Sequence, residues 1–337
     1  MINLDDYTFQ LPEHLIAQKP VEPRDSARLL VYKLGSGEII DDHFYNLGEH
    51  LKKDSSLVIN KTKVKKARLK FGGSEIFILE ELSENSVWAL VFPGKKFKVG
   101  KTLNLSPEIS VEVLEINPEG HRKLKFNKKL SDSIFEQFKL TPLPPYIKQD
   151  ESLAGDYQTV FAEGEGASLA APTAGLHFTD RLLASIRANH PVIEVDLTVG
   201  LGTFAPINQD NIQNKRLHSE TWNIEESQLL KLKQTKSITA VGTTSVRTLE
   251  SAGKNFKLSA GDTEIFIQPG YKFLNTDSLV TNFHLPGTSL LMLVAAFIAD
   301  KSGLSEPEAR TELLKIYSHA IKNEYRFFSF GDAMMLV

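Results

Sequence analysis

The sequence predicts an α/β large domain interrupted by a smaller, inserted β-barrel domain, and three observations carry that expectation. After "LPPYIK" the chain alternates helical and extended patterns, as a sheet with helices packed on it requires. Between residues 63 and 148, short extended runs follow one another with only turns between them, and no helical pattern of useful length precedes "SDSIFEQF". Mixed helix and strand signals flank that stretch on both sides, so it reads as an insertion. Residues 1–62 and 149–337 then form the α/β domain, and residues 63–148 form the barrel. A chain of 337 residues, 41% of them hydrophobic, is long enough for two such cores.

Taken in order, "LPEHLIAQKPVEPRDSARLLVYK" holds a short helix-like piece, a break at Pro20 and Pro23, and the strand "RLLVYK". Gly35 and Gly37 turn the chain into another extended piece, and residues 57–60 read as a buried strand. Inside the insertion "ARLKF", "SEIFILEEL", "SVWALVF", "EISVEVLEI" and "RKLKF" are separated by Gly72-Gly73, Pro93-Gly94 and Pro118-Glu119-Gly120. Beyond it, "TDRLLASIRAN" places Leu182, Leu183 and Ile186 on one helical face, with Thr179 or Asp180 as cap. It feeds a strand that alternates Ile193, Val195, Leu197 and Val199. "EESQLLKLKQTK" and "SITAVG" repeat that helix-then-strand order, and "SVRTLESAG" is a helix stopped by Gly253. "TEIFIQPG" and "SLVTNFH" are strand candidates. Residues 290–297 form a helix apolar on nearly every side, hence buried. The last helix opens with Ser305 and Glu308 at capping-box spacing.

Composition excludes much chemistry. The chain has no cysteine, which removes disulfides, thiolate nucleophiles, Cys-ligated zinc and iron-sulfur clusters. The N-terminal segment lacks a basic region followed by an apolar run. The apolar run at 290–299 is half of what a bilayer helix needs, so no membrane partner and a cytoplasmic location are expected. A formal charge of −3 hides an asymmetry: residues 61–129 carry 15 Lys and Arg against eight Glu. A basic insertion of this kind suits a nucleic-acid backbone, with Lys63, Lys65, Lys66, Lys95 and Lys96 as its binding candidates. Lysine-guarded sheet edges explain the same charges.

Several polar stretches are candidates for a site. "AVGTTSVRTLES" sets Gly242, Thr243, Thr244 and Ser245 between a strand and a helix, with Arg247 one turn on. That arrangement suits a carboxylate or phosphate, and an ordinary capped turn has the same letters. "ASLAAPTAGLHF" brings small residues, Pro172, Thr173 and Gly175 up to His177, which can move a proton near neutral pH or serve as a structural hydrogen-bonding group. "TVGLGTFAP" has Gly200, Gly202 and Thr203 but neither the third glycine nor the helix of a dinucleotide fingerprint, so it reads as an irregular ligand-side loop. "KRLHSE" reads as a polar loop in which His218 and Glu220 share a proton or fix an imidazole for packing. Arg24, Asp25, Ser26 and Arg28 precede a strand, as substrate contacts or as internal pairs. Asn60, Thr62 and Arg68 adjoin the crossing into the insertion. The nine histidines are scattered without zinc-site spacing, so no metal is expected.

In order, "LPEHLIAQKPVEPRDSARLLV", "LVINKTKVKKARL", "LPPYI", "YQTVFA", "AAPTAGLHF", "VGLGTFAP", "LHSE", "AVGTTSVRTLES", "IFIQPGYKF", "LVTNFHLPGTSLLMLVAAF" and "YRFFSFGDAM" resemble the S-adenosylmethionine:tRNA ribosyltransferase-isomerase family of queuosine biosynthesis, from about residue 3 to 336. The resemblance implies transfer and isomerisation of the ribosyl part of S-adenosylmethionine onto 7-aminomethyl-7-deazaguanine at the tRNA wobble position. Epoxyqueuosine forms, and adenine and methionine are released. S-adenosylmethionine is then a consumed substrate, with no tightly bound cofactor, and a monomer is expected.

His177 is the first candidate for base or proton relay, with His218 and His284 behind it. The residues named above, together with Asn282, are candidates for substrate binding. A non-catalytic tRNA-binding protein and an S-adenosylmethionine-dependent RNA methyltransferase are the competing readings. The chain departs from the family's usual pattern at Lys61, Lys63, Phe92, Thr198, Lys215, Thr288-Ser289 and Phe330. Lys63 stands where arginine is usual and lacks its two-pronged geometry. Thr198 stands where histidine is common and cannot act as a proton carrier at neutral pH.

Overall fold

The computed structural model describes residues 4–200 and 209–337. Two sheets organise them. Strands β1 (Arg28–Tyr32), β2 (Ile39–His43) and β3 (Ser55–Asn60) come first, with the short helix α1 (Leu47–His50) before β3. Seven consecutive strands follow: β4 (Arg68–Phe71), β5 (Ser74–Ser83), β6 (Ser86–Phe92), β7 (Thr102–Asn104), β8 (Ser110–Ile116), β9 (Arg122–Phe126) and β10 (Lys139–Leu140). Next come α2 (Asp180–Asn189), β11 (Val192–Leu197), α3 (Gln209–Asn214), β12 (Arg216–Asn223), α4 (Glu226–Gln234), β13 (Ser237–Val241), α5 (Thr243–Ser251), β14 (Ala260–Ile265) and β15 (Ser278–Asn282). The helices α6 (Ser289–Ser302) and α7 (Glu306–Lys322) and the strand β16 (Ala333–Leu336) complete the order.

The larger sheet runs β14-β12-β11-β3-β13-β15-β16-β1-β2. Its centre, β11-β3-β13-β15, is parallel. β16 is antiparallel to β15, and β1 is parallel to β16. The carboxyl ends of four central strands therefore share one edge with the amino ends of β16 and β1. Loops at that edge are where an open α/β sheet presents a ligand.

Side-chain alternation along the strands feeds two cores. On one face Leu57, Ile59, Val241 and Val280 pack with Leu182, Leu183 and Ile186 of α2. On the other, Val58, Ala240 and Leu279 pack with Val246 of α5, Phe297 of α6 and Tyr317 of α7. Every residue from 291 to 298 is buried, which explains why α6 is apolar all round. The capping box of α7 is formed: Ser305 N and Oγ both donate to Glu308 Oε2.

The seven-stranded sheet is ordered β10-β4-β5-β6-β9-β8-β7, every pair antiparallel. Its order has two ends, so it curls as a half-barrel around Phe97, Phe126 and Phe135 without a hydrogen-bonded closure. "SDSIFEQF" is a 3-10 turn, Ser133–Phe138, whose Phe135 plugs that core.

One expectation needs correction, and one strand goes unread in the sequence. "KRLHSE" is not a loop: it lies in β12, paired to β14 with a register shift between Arg216 and Glu220, so backbone pairing overrides its polar composition. "AMML" is a strand, β16, although its short apolar run carries no alternation to mark it.

Candidate active site

Three sequence blocks meet at the shared edge. Gly242 ends β13 with φ +86°, which favours glycine, and its N–H donates to Val280 O at 2.7 Å. A Cβ on Gly242 would lie 3.6 Å from Ala174 Cβ, so the 172–178 loop rests directly on this turn. Residues Thr173–Gly175 form a 3-10 turn following Pro172. Gly175 is required by packing, since a Cβ there would come within 2.6 Å of the Phe161 ring. The turn delivers His177, 4% exposed, to Asn282 at the end of β15: His177 Nε2 and Asn282 Nδ2 are 3.0 Å apart.

This contact defines the imidazole. Asn282 Nδ2 also donates to Phe328 O at 3.2 Å, and a carbonyl can only accept, so the amide nitrogen faces both partners. His177 Nε2 must then be the unprotonated nitrogen, with the proton on Nδ1. Burial first, then the charges of Arg326 and Arg24, push the His177 pKa down to about 3. The ring is neutral across the physiological range, and the Phe44 ring packs 5.0 Å from it.

Positive and negative groups surround that imidazole. Arg24 donates to Gln158 O at 2.7 Å and pairs with Asp156 at 2.9 Å. Asp25 is 1% exposed, and its Oδ2 accepts from Thr179 Oγ1 at 2.8 Å and from Arg181 Nη2 at 3.1 Å. Asp332 sits just before β16, where Oδ1 accepts from Arg28 N at 2.9 Å and Oδ2 from Arg326 N at 2.7 Å. Arg326 reaches Lys19 O through Nη1 at 3.2 Å.

The other named residues fall into separate groups. Ser26 Oγ bonds Pro23 O locally, and the Arg28 guanidinium covers the Tyr325 ring and donates to Asn323 O. Asn60 extends the ladder between β3 and β11 by donating to Leu197 O and accepting from Leu197 N, both at 3.1 Å. Thr62 Oγ1 bonds Ser168 Oγ at 2.6 Å. Arg68 pairs with Glu75 at 2.5 Å and donates to Gln149 at 2.8 Å, bracing the smaller sheet. Arg247 and Glu220 form a close buried pair on the α5 side of the larger sheet, and Glu220 Oε1 accepts from Gly200 N at 3.1 Å. Burial lowers the Arg247 pKa to about 10, so it stays charged. Ser245 Oγ donates back to Val241 O, while Thr244 Oγ1 is buried without a hydrogen-bond partner among the described residues. Gly202 and Thr203 lie outside the described residues.

The three histidines do not share a pocket. His218 is exposed on β12. His284, two residues past the end of β15, is buried and bonded to Thr281 Oγ1 at 2.9 Å, with its backbone N–H donating to Tyr317 Oη at 3.0 Å. Among the lysines, Lys63, Lys66, Lys95 and Lys96 are exposed, and Lys65 pairs with Glu81 at 3.2 Å. Lys61 pairs with Glu163 and Glu225, and these bonds, Glu225's foremost, raise its pKa. Among the described residues no group of three or more His, Asp or Glu side chains is placed to hold a metal, and no helix is long and apolar enough to cross a membrane.

Residues 4–336 match the family described as "Queuosine biosynthesis protein". The chain belongs to this family. Within the queuosine biosynthesis family, a relative from Fusobacterium nucleatum is 42% identical, covering 99% of this chain and 96% of its own length. Another from Natranaerobius thermophilus is 40% identical over 99% of each. Both are named S-adenosylmethionine:tRNA ribosyltransferase-isomerase. The crystal structure of S-adenosylmethionine tRNA ribosyltransferase from Thermotoga maritima is 33% identical, spans 98% of this chain and 100% of that one, and superposes with a TM-score of 0.55.

Sequence reading missed Arg326, Asp332 and Thr179. "YRFFSFGDAM" held two of them, but an arginine and an aspartate six residues apart signal nothing until β16 brings them to the edge.

Proposed function

We propose that this chain is an S-adenosylmethionine:tRNA ribosyltransferase-isomerase that transfers and isomerises the ribosyl moiety of S-adenosylmethionine onto 7-aminomethyl-7-deazaguanine at the tRNA wobble position. Epoxyqueuosine is the product, with adenine and methionine released. The observation that carries this reading is the likeness over nearly the whole length to relatives bearing that name.

The sulfonium acidifies the adjacent 5′ carbon, and loss of that proton starts the sequence. The sugar then expels adenine, the aminomethyl nitrogen attacks the rearranged sugar, and methionine leaves as the epoxide closes. Positioning and proton movement carry this chemistry, because the leaving group arrives on the substrate. His177 is our candidate for the proton acceptor, since it is already neutral and buried beside polar groups that can hold a substrate. Burial leads in depressing its basicity, and an anion that offsets Arg326 and Arg24 recovers the smaller part due to charge. The Gly242–Ser245 turn and Arg247 serve an anionic group of either substrate. S-adenosylmethionine is consumed and no tightly bound cofactor is required. We place the enzyme in the cytoplasm as a monomer.

The α/β domain of residues 1–62 and 149–337 carries most of the active site in this reading, and residues 63–148 clamp tRNA. The exposed lysines on the smaller sheet and at its entry support that role. Reversing the charge of Lys65 and Lys66 together is expected to lower the slope of log affinity for tRNA against log salt by up to about 2. An unchanged slope and affinity would remove the clamp from this location.

The deciding experiment supplies purified protein with S-adenosylmethionine and tRNA bearing the aminomethyl-deazaguanine base. Mass spectrometry should find free adenine, methionine and the modified nucleoside in equal amounts. S-adenosylhomocysteine without adenine would indicate methyl transfer, and bound tRNA with no product would indicate a binding protein.

A further inference from the structure

On residues linked to His177 directly or through a neighbouring residue, three polar atoms are shut off from solvent and have no hydrogen-bond partner among the described residues: Asn282 Oδ1, Asp25 Oδ1 and Arg326 Nη2. Buried polar atoms without partners are uncommon in folded proteins, and each calls for a reason. All three belong to one chain of contacts. Asn282 holds His177 through its amide nitrogen and reaches Phe328 O. Phe328 lies two residues from Arg326. Asp25 is bonded to Thr179, two residues beyond His177. The set consists of two acceptor oxygens, one amide and one carboxyl, and one guanidinium donor.

We infer that these atoms form a clamp for the α-amino-acid head group of S-adenosylmethionine: Arg326 Nη2 donates to the carboxylate, and Asn282 Oδ1 with Asp25 Oδ1 accepts from the ammonium. The inference rests on the function proposed above and deepens it by naming where one end of the substrate sits. A zwitterionic head group matches the set atom for atom, whereas a phosphate leaves both acceptors unanswered.

The loop that presents Arg326 is pre-set. Arg326 N donates to Asp332 Oδ2 at 2.7 Å, Asp332 N to Arg326 O at 2.8 Å, and Gly331 N to Phe328 O at 3.0 Å. Gly331 is enforced by this closure, since a Cβ there would lie 2.5 Å from Arg326 O. Both oxygens of Asp332 are taken by backbone N–H groups, and its nearer oxygen stays 3.9 Å from Arg326 Nε. The guanidinium therefore keeps capacity for a second anion.

The clamp also explains the position of His177. Five bonds separate the carboxylate carbon from the 5′ carbon, roughly 6 Å when extended. A head group held beside Arg326 keeps the acidified carbon within the reach of one neighbouring side chain. The guanidinium repels the sulfonium, so the substrate enters carboxylate first. A carboxylate on Arg326 further cancels the charge that disfavours an imidazolium at His177.

The test compares kcat/KM for S-adenosylmethionine and for decarboxylated S-adenosylmethionine, with adenine release as readout, in the wild type, Arg326→Met and Arg326→Lys. The wild type should prefer the intact substrate about 100-fold. Arg326→Met should lose most of that preference by falling on the intact substrate alone, and Arg326→Lys should recover part of it. Activity retained on the decarboxylated substrate reports that the variants are folded, and affinity for tRNA should not move. Adenine release by a wild type that does not distinguish the two substrates overturns the clamp and leaves the enzymatic reading standing. Loss of tRNA affinity in Arg326→Met with the preference intact overturns it as well, by assigning Arg326 to a phosphate. If neither variant folds, the wild-type preference together with competitive inhibition by L-methionine but not by 3-(methylthio)propylamine decides the matter.

Discussion

His177 packs against Asn282 at the end of β15 and His284 follows the same strand, both buried, both with pKa values pushed down to about 3. They differ in what does the pushing. Burial alone acts on His284, whose ring is tied to Thr281 and whose N–H is tied to Tyr317. Burial also leads for His177, but Arg326 and Arg24 add to it, and the amide that fixes the ring keeps an unused oxygen. A depressed pKa therefore does not distinguish a working imidazole from a packed one. Charges and unanswered polar atoms around the ring do.

Replacement separates the two most sharply. His177→Gln is expected to slow single-turnover adenine release about 10²- to 10⁴-fold, while His284→Gln leaves turnover per folded molecule unchanged. Equal losses in both variants would mean that the two histidines are not functionally distinct. In acid the two should behave alike. Unfolded imidazoles titrate near 6.5 and these folded ones near 3. Between those values the unfolded chain binds more protons, so the stability each neutral ring contributes is fully present above pH ~6.5 and lost as pH falls toward ~3. The loss is on the order of several kcal/mol per ring, and denaturant midpoints at falling pH should show each glutamine variant flattening the decline.

Two smaller effects refine the contrast. Asn282→Ala frees the His177 ring and should lower adenine release by about 10- to 100-fold. A rate within twofold of wild type would show that the amide does not position the imidazole. Tyr317→Phe removes only the oxygen that accepts from His284 N and should cost about 1 kcal/mol of stability in urea titration, with no change in turnover.

The same contrast shows what could be read from the chain beforehand. Alternation from Ile193 to Val199, the Ser305/Glu308 cap and the all-round apolar α6 were legible because each is a local pattern with one structural solution. The convergence of Gly242, His177 and Asn282 was legible as blocks, since small residues and a histidine next to turns signal a loop at a strand end. Arg326 and Asp332 were not, because their roles depend on β16 pairing with β1 and β15, and four apolar residues do not announce a partner. Nor could letters tell His284 from His177: each directly follows a large apolar residue, Phe283 or Leu176, and only the contacts made in the fold separate their surroundings.

Arg28 and Asp332, bonded to one another at the edge of the larger sheet, are 304 positions apart in the chain. During synthesis β1 emerges early and must wait for β16 before its inner side is covered. A ribosome that stops short yields a polypeptide with a gap in the middle of its sheet and no arginine beside His177. Closure of the sheet around His177 is thereby tied to a contact of very long sequence separation, and copies that lack β16 are left with bare strands that quality-control factors can recognise.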